Sequence, residues 1–335
     1  MVAGRDLSAD QAATAMADIL AGLVDPARIA GLLIGLAAKG ETVDELAGMA
    51  RAMRSTAEPL HVADGAIDIV GTGGSAHRRS HALNVSTMAS IVAAAAGARV
   101  CKHGNRRASS TSGSFDFLEA IGVAIDLDPK ALEVCIDEVG VGFAFARTFH
   151  PAMRFAGPVR AELGIPTVFN LLGPVANPAL VERQVVGVSS PERAELLAGA
   201  LRALGSTSSW VVCGHGGLDE LSLTGDSDVW SVSADGVTHR VVSLSELGLE
   251  AVPAEALAGG DAAANAALFE RLVAGETGPV RDIVTLNAAA GLVVAGVVSD
   301  LGGGLDLARA AIDDGRVAAK LGQLRSVTDR LVRDA

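Results

Sequence analysis

The feature that most constrains this chain is a short apolar run, Ile67-Asp68-Ile69-Val70, that passes without a spacer into Gly71-Thr72-Gly73-Gly74. Four residues rich in β-branched side chains are too few for a helix and read as a buried strand. The glycines behind them let the backbone turn hard and let other chain or a ligand approach closely. The same order recurs downstream. Residues 98–101 read as a strand, Lys102-His103-Gly104-Asn105-Arg106 as a polar loop, and 115–121 as a helix. Between the two units, Asn84-Val85-Ser86-Thr87 opens an Ala-rich helix ending at Gly97. Residues 184–188 read as a strand, 191–204 as a helix, 210–213 as a strand and 228–242 as a hairpin turning at Asp235-Gly236. Helices follow over 287–298 and 306–331. Strand, loop and helix in rotation predict an α/β fold. Its central sheet is mostly parallel, with ligand-binding loops at the carboxyl ends of the strands.

Ahead of this region the periodicity is helical throughout. Ser8 with Gln11 has capping-box spacing and opens a first helix. A second runs over 26–39, with Ile29, Leu32, Leu33, Leu36 and Ala37 at helical spacing, and stops at Gly40. Thr42 with Glu45 repeats the capping signal and opens a third, to about Thr56. The expected organisation is a small helical domain over 1–63, with a returning helical segment near 158–180, and an α/β domain over 64–335.

Charge narrows the function. Lys plus Arg number 27 against 39 Asp plus Glu, a net charge of −12, which disfavours nucleic acid as a partner over any broad face. Eight Phe, two Trp and no Tyr give no row of stacking rings for single strands. An anionic ligand would need locally gathered cations or a divalent metal. The three cysteines, Cys101, Cys135 and Cys213, have no CxxC spacing and read as reduced thiols. No signal-like opening and no apolar run of about 18 residues is present, so the expectation is a soluble, cytoplasmic protein without membrane contact.

Four loops carry candidate chemistry. Gly71 to Gly74 reads equally as a tight structural turn or as an anion nest, and it matches neither the Walker pattern nor GxGxxG. The 102–106 segment gathers two fixed cations, a histidine and an amide. The hydroxyls of Ser109, Ser110, Ser112 and Ser114 stand just before a helix, a set suited to a phosphate. Gly216-Gly217-Leu218-Asp219-Glu220 places adjacent carboxylates where Mg²⁺ could be held beside phosphates, although such a pair is also ordinary surface. His150 in Phe149-His150-Pro151-Ala152-Met153-Arg154, taken with Arg160, offers a carboxylate site. Phe169-Asn170-Leu171-Leu172-Gly173-Pro174 reads as a hinge or pocket wall.

In their order and spacing, the strings GTGG, NVST, KHGNR, SGS, FHPAMR, PVR, FNLLGP and GLDEL resemble the anthranilate phosphoribosyltransferase family. The helical start and the segment LNAAAGLVVAG extend the resemblance over nearly the whole chain. It implies transfer of the 5-phosphoribosyl group of phosphoribosyl pyrophosphate (PRPP) to the amine of anthranilate, in tryptophan biosynthesis. Mg²⁺ would assist, in a homodimer joined through the helical domain. By the same resemblance Gly71, Thr72, Gly73, Gly74, Asn84, Ser86, Thr87, Lys102, Ser110, Ser112 and Ser114 bind PRPP. Ser86, Asp219 and Glu220 hold metal. Asn105, His103, His150, Arg160, Gly173 and Pro174 form the acceptor site, and no covalent nucleophile is expected. A nucleoside phosphorylase on the same architecture, a paralogue for another aromatic acceptor, and a non-catalytic binding protein remain the alternatives.

The sequence departs from that family's usual pattern at one loop. Ser75-Ala76 stands where Asp-Gly usually follows GTGG, and Ala82 stands where a Thr is usual. The segment 75–83, SAHRRSHAL, is longer than usual and brings His77, Arg78, Arg79 and His81. Phe115 and Arg147 replace a usual Ala and Pro.

Overall fold

The computed structural model describes residues 3–73, 83–106 and 112–334. The chain opens with α1 (Ala9–Leu20), α2 (Pro26–Lys39) and α3 (Val43–Ser55). Ser8 and Thr42 each accept from the amide three residues on, and Gln11 and Glu45 reach back, so both expected capping boxes form. Then follow β1 (Ile67–Gly71), α4 (Val85–Ala95), β2 (Val100–Gly104), α5 (Ser114–Ala120), α6 (Pro129–Val139) and β3 (Val141–Phe145). Three short helices come next, α7 (Ala146–Phe149), α8 (Gly157–Leu163) and α9 (Phe169–Val175). They lead to β4 (Arg183–Gly187), α10 (Pro191–Ala203), β5 (Ser208–Cys213), β6 (Ser227–Ser233) and β7 (Gly236–Val242). The chain closes with α11 (Ala262–Val273), α12 (Pro279–Ala295), α13 (Leu301–Asp313) and α14 (Arg316–Arg333).

The seven strands form one sheet in the order β3-β2-β1-β4-β5-β6-β7. The first five are parallel and the last two antiparallel. Alternation along the strands sends successive side chains to opposite faces. Val186, Val211 and Trp230 pack toward α1–α3, α8, α9 and α10. Their neighbours Val185, Val212 and Val229 join the second core, built with α4, α12, α13 and α14.

Chain order reverses between β1 and β4. From β1 the sheet grows through β2 to β3, and from β4 it grows the other way to β5. In open α/β sheets the crevice outside such a switch point is where ligands bind. Gly71 and Gly187 are partners there, at the carboxyl ends of the two strands.

Several elements differ from their sequence-based bounds. Lys102, His103 and Gly104 belong to β2 rather than to a loop, because they pair with Phe143, Ala144 and Phe145 of β3. The hairpin turns at Ala234-Asp235, since Ser233 already pairs with Gly236. The helix expected over 306–331 is two helices, parted at Gly315 in the left-handed region (φ 79°). Residues 169–175 are helical, with Pro174 inside the last turn, rather than a hinge. Among the described residues no helix is long and apolar enough to cross a membrane.

Candidate active site

At the switch point the backbone is packed so closely that only glycine fits. A Cβ on Gly187 would lie 1.7 Å from the carbonyl oxygen of Asp219, and one on Gly71 would lie 2.6 Å from Asp219 Oδ2. On the other side of the same loop, a Cβ on Gly214 would lie 2.2 Å from the Glu220 carbonyl oxygen. These three glycines seat the 214–220 loop against β1 and β4. The Gly73 amide, in the left-handed region at φ 58°, donates to Asp219 Oδ2 at 3.0 Å. The Thr72 amide donates to Gly187 O at 2.8 Å, and the buried Thr72 hydroxyl finds no partner among the described residues. Asn287, buried on α12, clamps the loop from behind. Its Oδ1 accepts from the Leu221 amide and its Nδ2 donates to the Leu221 carbonyl, each at 3.0 Å.

Lys102 is buried on β2, beside this corner, and Nζ donates to Ile69 O at 2.6 Å. Burial lowers its pKa, and the nearby carboxylates of Asp68, Glu220 and Asp219 oppose that. Asp68, fully buried on β1, is pushed up to about 6 by desolvation, with Lys102 and the amide of Asn177 pulling it back. Asn177 Nδ2 bonds both Asp68 Oδ2 (2.9 Å) and Cys101 O (2.8 Å). The lysine head is thus held out of water next to the carboxylates of the loop.

The remaining expected phosphate ligands gather at the starts of α4 and α5. Asn84 precedes α4, whose first turn carries Ser86 and Thr87. Asn84 Oδ1 accepts from Ser112 Oγ at 2.9 Å and from Asn265 Nδ2 of α11 at 2.7 Å. Ser114 opens α5, and its hydroxyl donates to Asn105 O at 2.9 Å, fixing the exposed Asn105 at the end of β2. Arg106 is turned away toward α5, where it forks the Glu119 carboxylate at 2.6 and 2.8 Å.

The opposite wall is made of side chains. His103 Nδ1 lies 3.1 Å from the Gly173 carbonyl of α9. A carbonyl only accepts, so Nδ1 carries the proton and Nε2 is an acceptor. Desolvation pushes His103 down to about 3 and His150 to about 4, so both rings are neutral. The two stand edge to face, with centroids 5.0 Å apart, and neither Nε2 finds a partner among the described residues. The ring that His150 meets is His103, and the carboxylate site expected of His150 with Arg160 remains a proposal. Arg160 on α8 stacks over Phe169, 4.8 Å from the ring centroid, one helical turn before Gly173 on α9. Pro174 O accepts from Gln184 Nε2 at 2.8 Å, which ties α9 to β4.

Gly74 and Ser110, with Ser109 and the 75–82 stretch that holds His77, Arg78, Arg79 and His81, lie outside the described residues. Phe115 is buried and stacks on Phe145, centroids 4.5 Å apart, while Arg147 is exposed on α7. The chemistry-bearing residues not picked out from sequence are Asp68, Asn177, Asn265 and Asn287. All four are wholly or almost wholly buried polar groups bonded to the loops above. Their one sequence signal is a polar residue at an apolar position, as in Ala-Asn-Ala and Leu-Asn-Ala.

A helical unit on an α/β unit, with glycine-packed loops at the switch point, is the architecture of a class of glycosyl-group transferases that family models match here. Residues 1–57 match the glycosyl transferase family helical bundle domain, and residues 63–318 match its a/b domain. The chain is 48% identical over 330 residues to the anthranilate phosphoribosyltransferase of Roseiflexus sp. (strain RS-1), covering 98% of this chain and 96% of the relative. The crystal structure of the Thermus thermophilus anthranilate phosphoribosyltransferase superposes with a TM-score of 0.92, at 46% identity and 98% coverage of both chains. The Saccharomyces cerevisiae enzyme in complex with PRPP and Mg superposes at 0.88, with 27% identity over 97% of this chain and 94% of that one. In complex with 4-fluoroanthranilate it superposes at 0.85, with 25% identity over the same shares. The chain belongs to the anthranilate phosphoribosyltransferase family.

Proposed function

We propose that this protein transfers the 5-phosphoribosyl group of PRPP to the amine of anthranilate, releasing pyrophosphate, in tryptophan biosynthesis. The observation that carries the reading is convergence at one switch point. The Gly71–Gly73 backbone, Lys102 and the Asp219-Glu220 corner meet there, and β2 hands on directly to the His103, Gly173 and Arg160 wall. Relatives bound to PRPP with Mg and to 4-fluoroanthranilate support both substrate classes.

Displacement at the anomeric carbon passes through an oxocarbenium-like state as pyrophosphate departs. The protein's tasks are alignment and charge stabilisation, and the neutral aromatic amine supplies the nucleophile. The Gly71–Gly73 backbone and the Thr72 hydroxyl cradle the pyrophosphate with Gly74. Lys102, Ser110 and the backbone at Ser112 and Ser114 take the remaining phosphate oxygens, with Asn84, Ser86 and Thr87. Arg160, whose stacked guanidinium presents a planar fork, holds the anthranilate carboxylate. The Nε2 atoms of His103 and His150 face the ring acid as neutral acceptors, with Asn105, Gly173 and Pro174 completing the pocket.

Asp219 and Glu220 fit a hard divalent cation. They are two adjacent half-buried carboxylates, and Asp219 lies against Gly71 and Gly187 at the switch point. They would hold Mg²⁺ together with Ser86. Bound there, Mg²⁺ supplies the positive charge that an acidic protein lacks on the leaving group. A homodimer joined through the helical domain, in a cytoplasmic enzyme, completes the reading.

The test is direct. Protein, PRPP, Mg²⁺ and anthranilate are mixed and the fluorescence of anthranilate is followed. Loss of signal that needs all three additions is the expected result. No loss with anthranilate but turnover of substituted benzoates would move the acceptor. Turnover of a nucleoside with inorganic phosphate would overturn the reaction class.

A further inference from the structure

We infer that Asn265, on α11 and outside every motif that marks the site, is a positioning residue for PRPP. It fixes which edge of the Asn84 amide faces the donor substrate. The inference rests on the PRPP-binding role proposed for Asn84.

Which atom of each amide is which follows from a group that can only donate. The Gly260 backbone N–H bonds one side-chain atom of Asn265 at 2.9 Å, so that atom is Oδ1. The other atom is therefore Nδ2, and it donates to Asn84 at 2.7 Å, which makes the atom it meets Asn84 Oδ1. The Ser112 hydroxyl donates to the same oxygen at 2.9 Å. Two donors on one carbonyl oxygen occupy both of its lone-pair directions. The edge of Asn84 that remains for a ligand is the Nδ2 edge, a donor edge with one long contact, 3.4 Å to the Ser112 carbonyl, among the described residues. A phosphate oxygen is an acceptor. Flipping the amide would break both bonds to Oδ1 and turn an oxygen toward an anion.

Two further observations set this apart from incidental packing. Asn84 occupies the N-cap position of α4, where asparagine normally bonds its own helix, and it makes no such bond. The contacts with Ser112 and Asn265 have displaced the local one. Asn265 itself is fully buried in the sequence Ala-Ala-Ala-Asn-Ala-Ala-Leu-Phe, where an apolar residue would satisfy the packing. A buried amide is costly unless its bonds are made; Asn265 makes them to the Gly260 backbone and to Asn84, and the Asn84 bond is the one that reaches the proposed donor site.

The experiment is a calorimetric titration of PRPP with Mg²⁺ into wild type, Asn265→Ala, Asn84→Ala and the double variant, with melting temperatures and KM values alongside. Each single change should weaken PRPP roughly ten- to a hundredfold, the range for leaving one partner of a buried pair unmade. The double variant should be no weaker than Asn84→Ala, because Asn265 acts only through Asn84. KM for anthranilate at saturating PRPP should not move. Additive losses, or equal losses for both substrates, overturn the inference. Asn84→Asp is read separately and does not depend on how Asn265 variants fold. It keeps both bonds to Oδ1 and replaces the donor edge with an anionic oxygen, so PRPP affinity should fall more than about a hundredfold. Wild-type affinity in Asn84→Asp also overturns the inference. If wild type itself takes up no PRPP, the proposed function fails, and the inference fails with it.

Discussion

The two sides of the proposed site are built differently. The side proposed for the donor is mostly backbone. Gly71, Gly187 and Gly214 bring the Asp219-Glu220 loop to distances no Cβ would allow, the buried Asn287 amide of α12 holds that loop, and Asn265 of α11 holds Asn84. The side proposed for the acceptor is mostly side chain. Two neutral histidines stand against each other, and an arginine lies on a phenylalanine. Backbone geometry suits a ligand of fixed shape, such as pyrophosphate. Side-chain geometry can change with a few substitutions, which suits a wall that chooses among aromatic acids. The departures in this chain follow the same division in part. Phe115 and Arg147 leave the glycine packing and the His103–His150 pair intact.

The comparison can be broken most severely at the metal corner. Asp219→Asn with Glu220→Gln should lower kcat on the order of 10³-fold in the fluorescence assay, with the thermal unfolding curve unchanged. An unchanged kcat would remove the carboxylates from the donor wall. Next in size is Gly187→Ala. Its methyl would meet the Asp219 carbonyl, so urea unfolding should show a loss of about 3 kcal/mol, together with weakened PRPP binding. Unaltered stability would mean that the loop yields and the wall is not rigid.

Acidification acts on the acceptor wall. His103 and His150 have folded pKa values of about 3 and 4, below the ordinary 6.5. The unfolded chain therefore binds more protons between those values. The stability that the neutral rings contribute is complete above 6.5 and is lost as pH falls toward the folded values. Between pH 7 and 5 each ring should cost about 2 kcal/mol, measured by denaturant unfolding. Asp68, raised to about 6, works in the opposite sense and offsets part of this. Replacing both histidines with Gln should flatten the profile, and an unflattened profile would place the titration elsewhere. The smallest effect is expected for Arg160→Ala. It should raise KM for anthranilate about tenfold and leave KM for PRPP alone, and Arg160→Lys should not restore it, because lysine lacks the planar fork. No change in either variant would free the acceptor carboxylate from this arginine.

What was legible in the sequence follows the same division. The glycine loops, the helix caps at Ser8 and Thr42, and the strand-loop-helix rotation are local rules, and they marked most of the elements to within a few residues. The strand β3 and the helices α6 and α11 were not named, although Val141 to Phe145 is as apolar as β1. The segment 102–104 misled because its charge reads as solvation, whereas the sheet buries Lys102 among the carboxylates of Asp68, Asp219 and Glu220. The His103–His150 pairing and the Asn84–Asn265 and Leu221–Asn287 bonds join residues far apart in the chain. No local pattern encodes them, and only the folded sheet brings them together.

The most direct measurement is a crystal structure with PRPP, Mg²⁺ and 4-fluoroanthranilate bound together. Pyrophosphate should lie between the Gly71–Gly73 backbone, Lys102 and the Asp219-Glu220 carboxylates, with the ring carboxylate on Arg160 and the fluorinated ring beside His103 and His150. Density for the two ligands in separate clefts, or a ring acid bound away from Arg160, would contradict the joining of these two walls into one site.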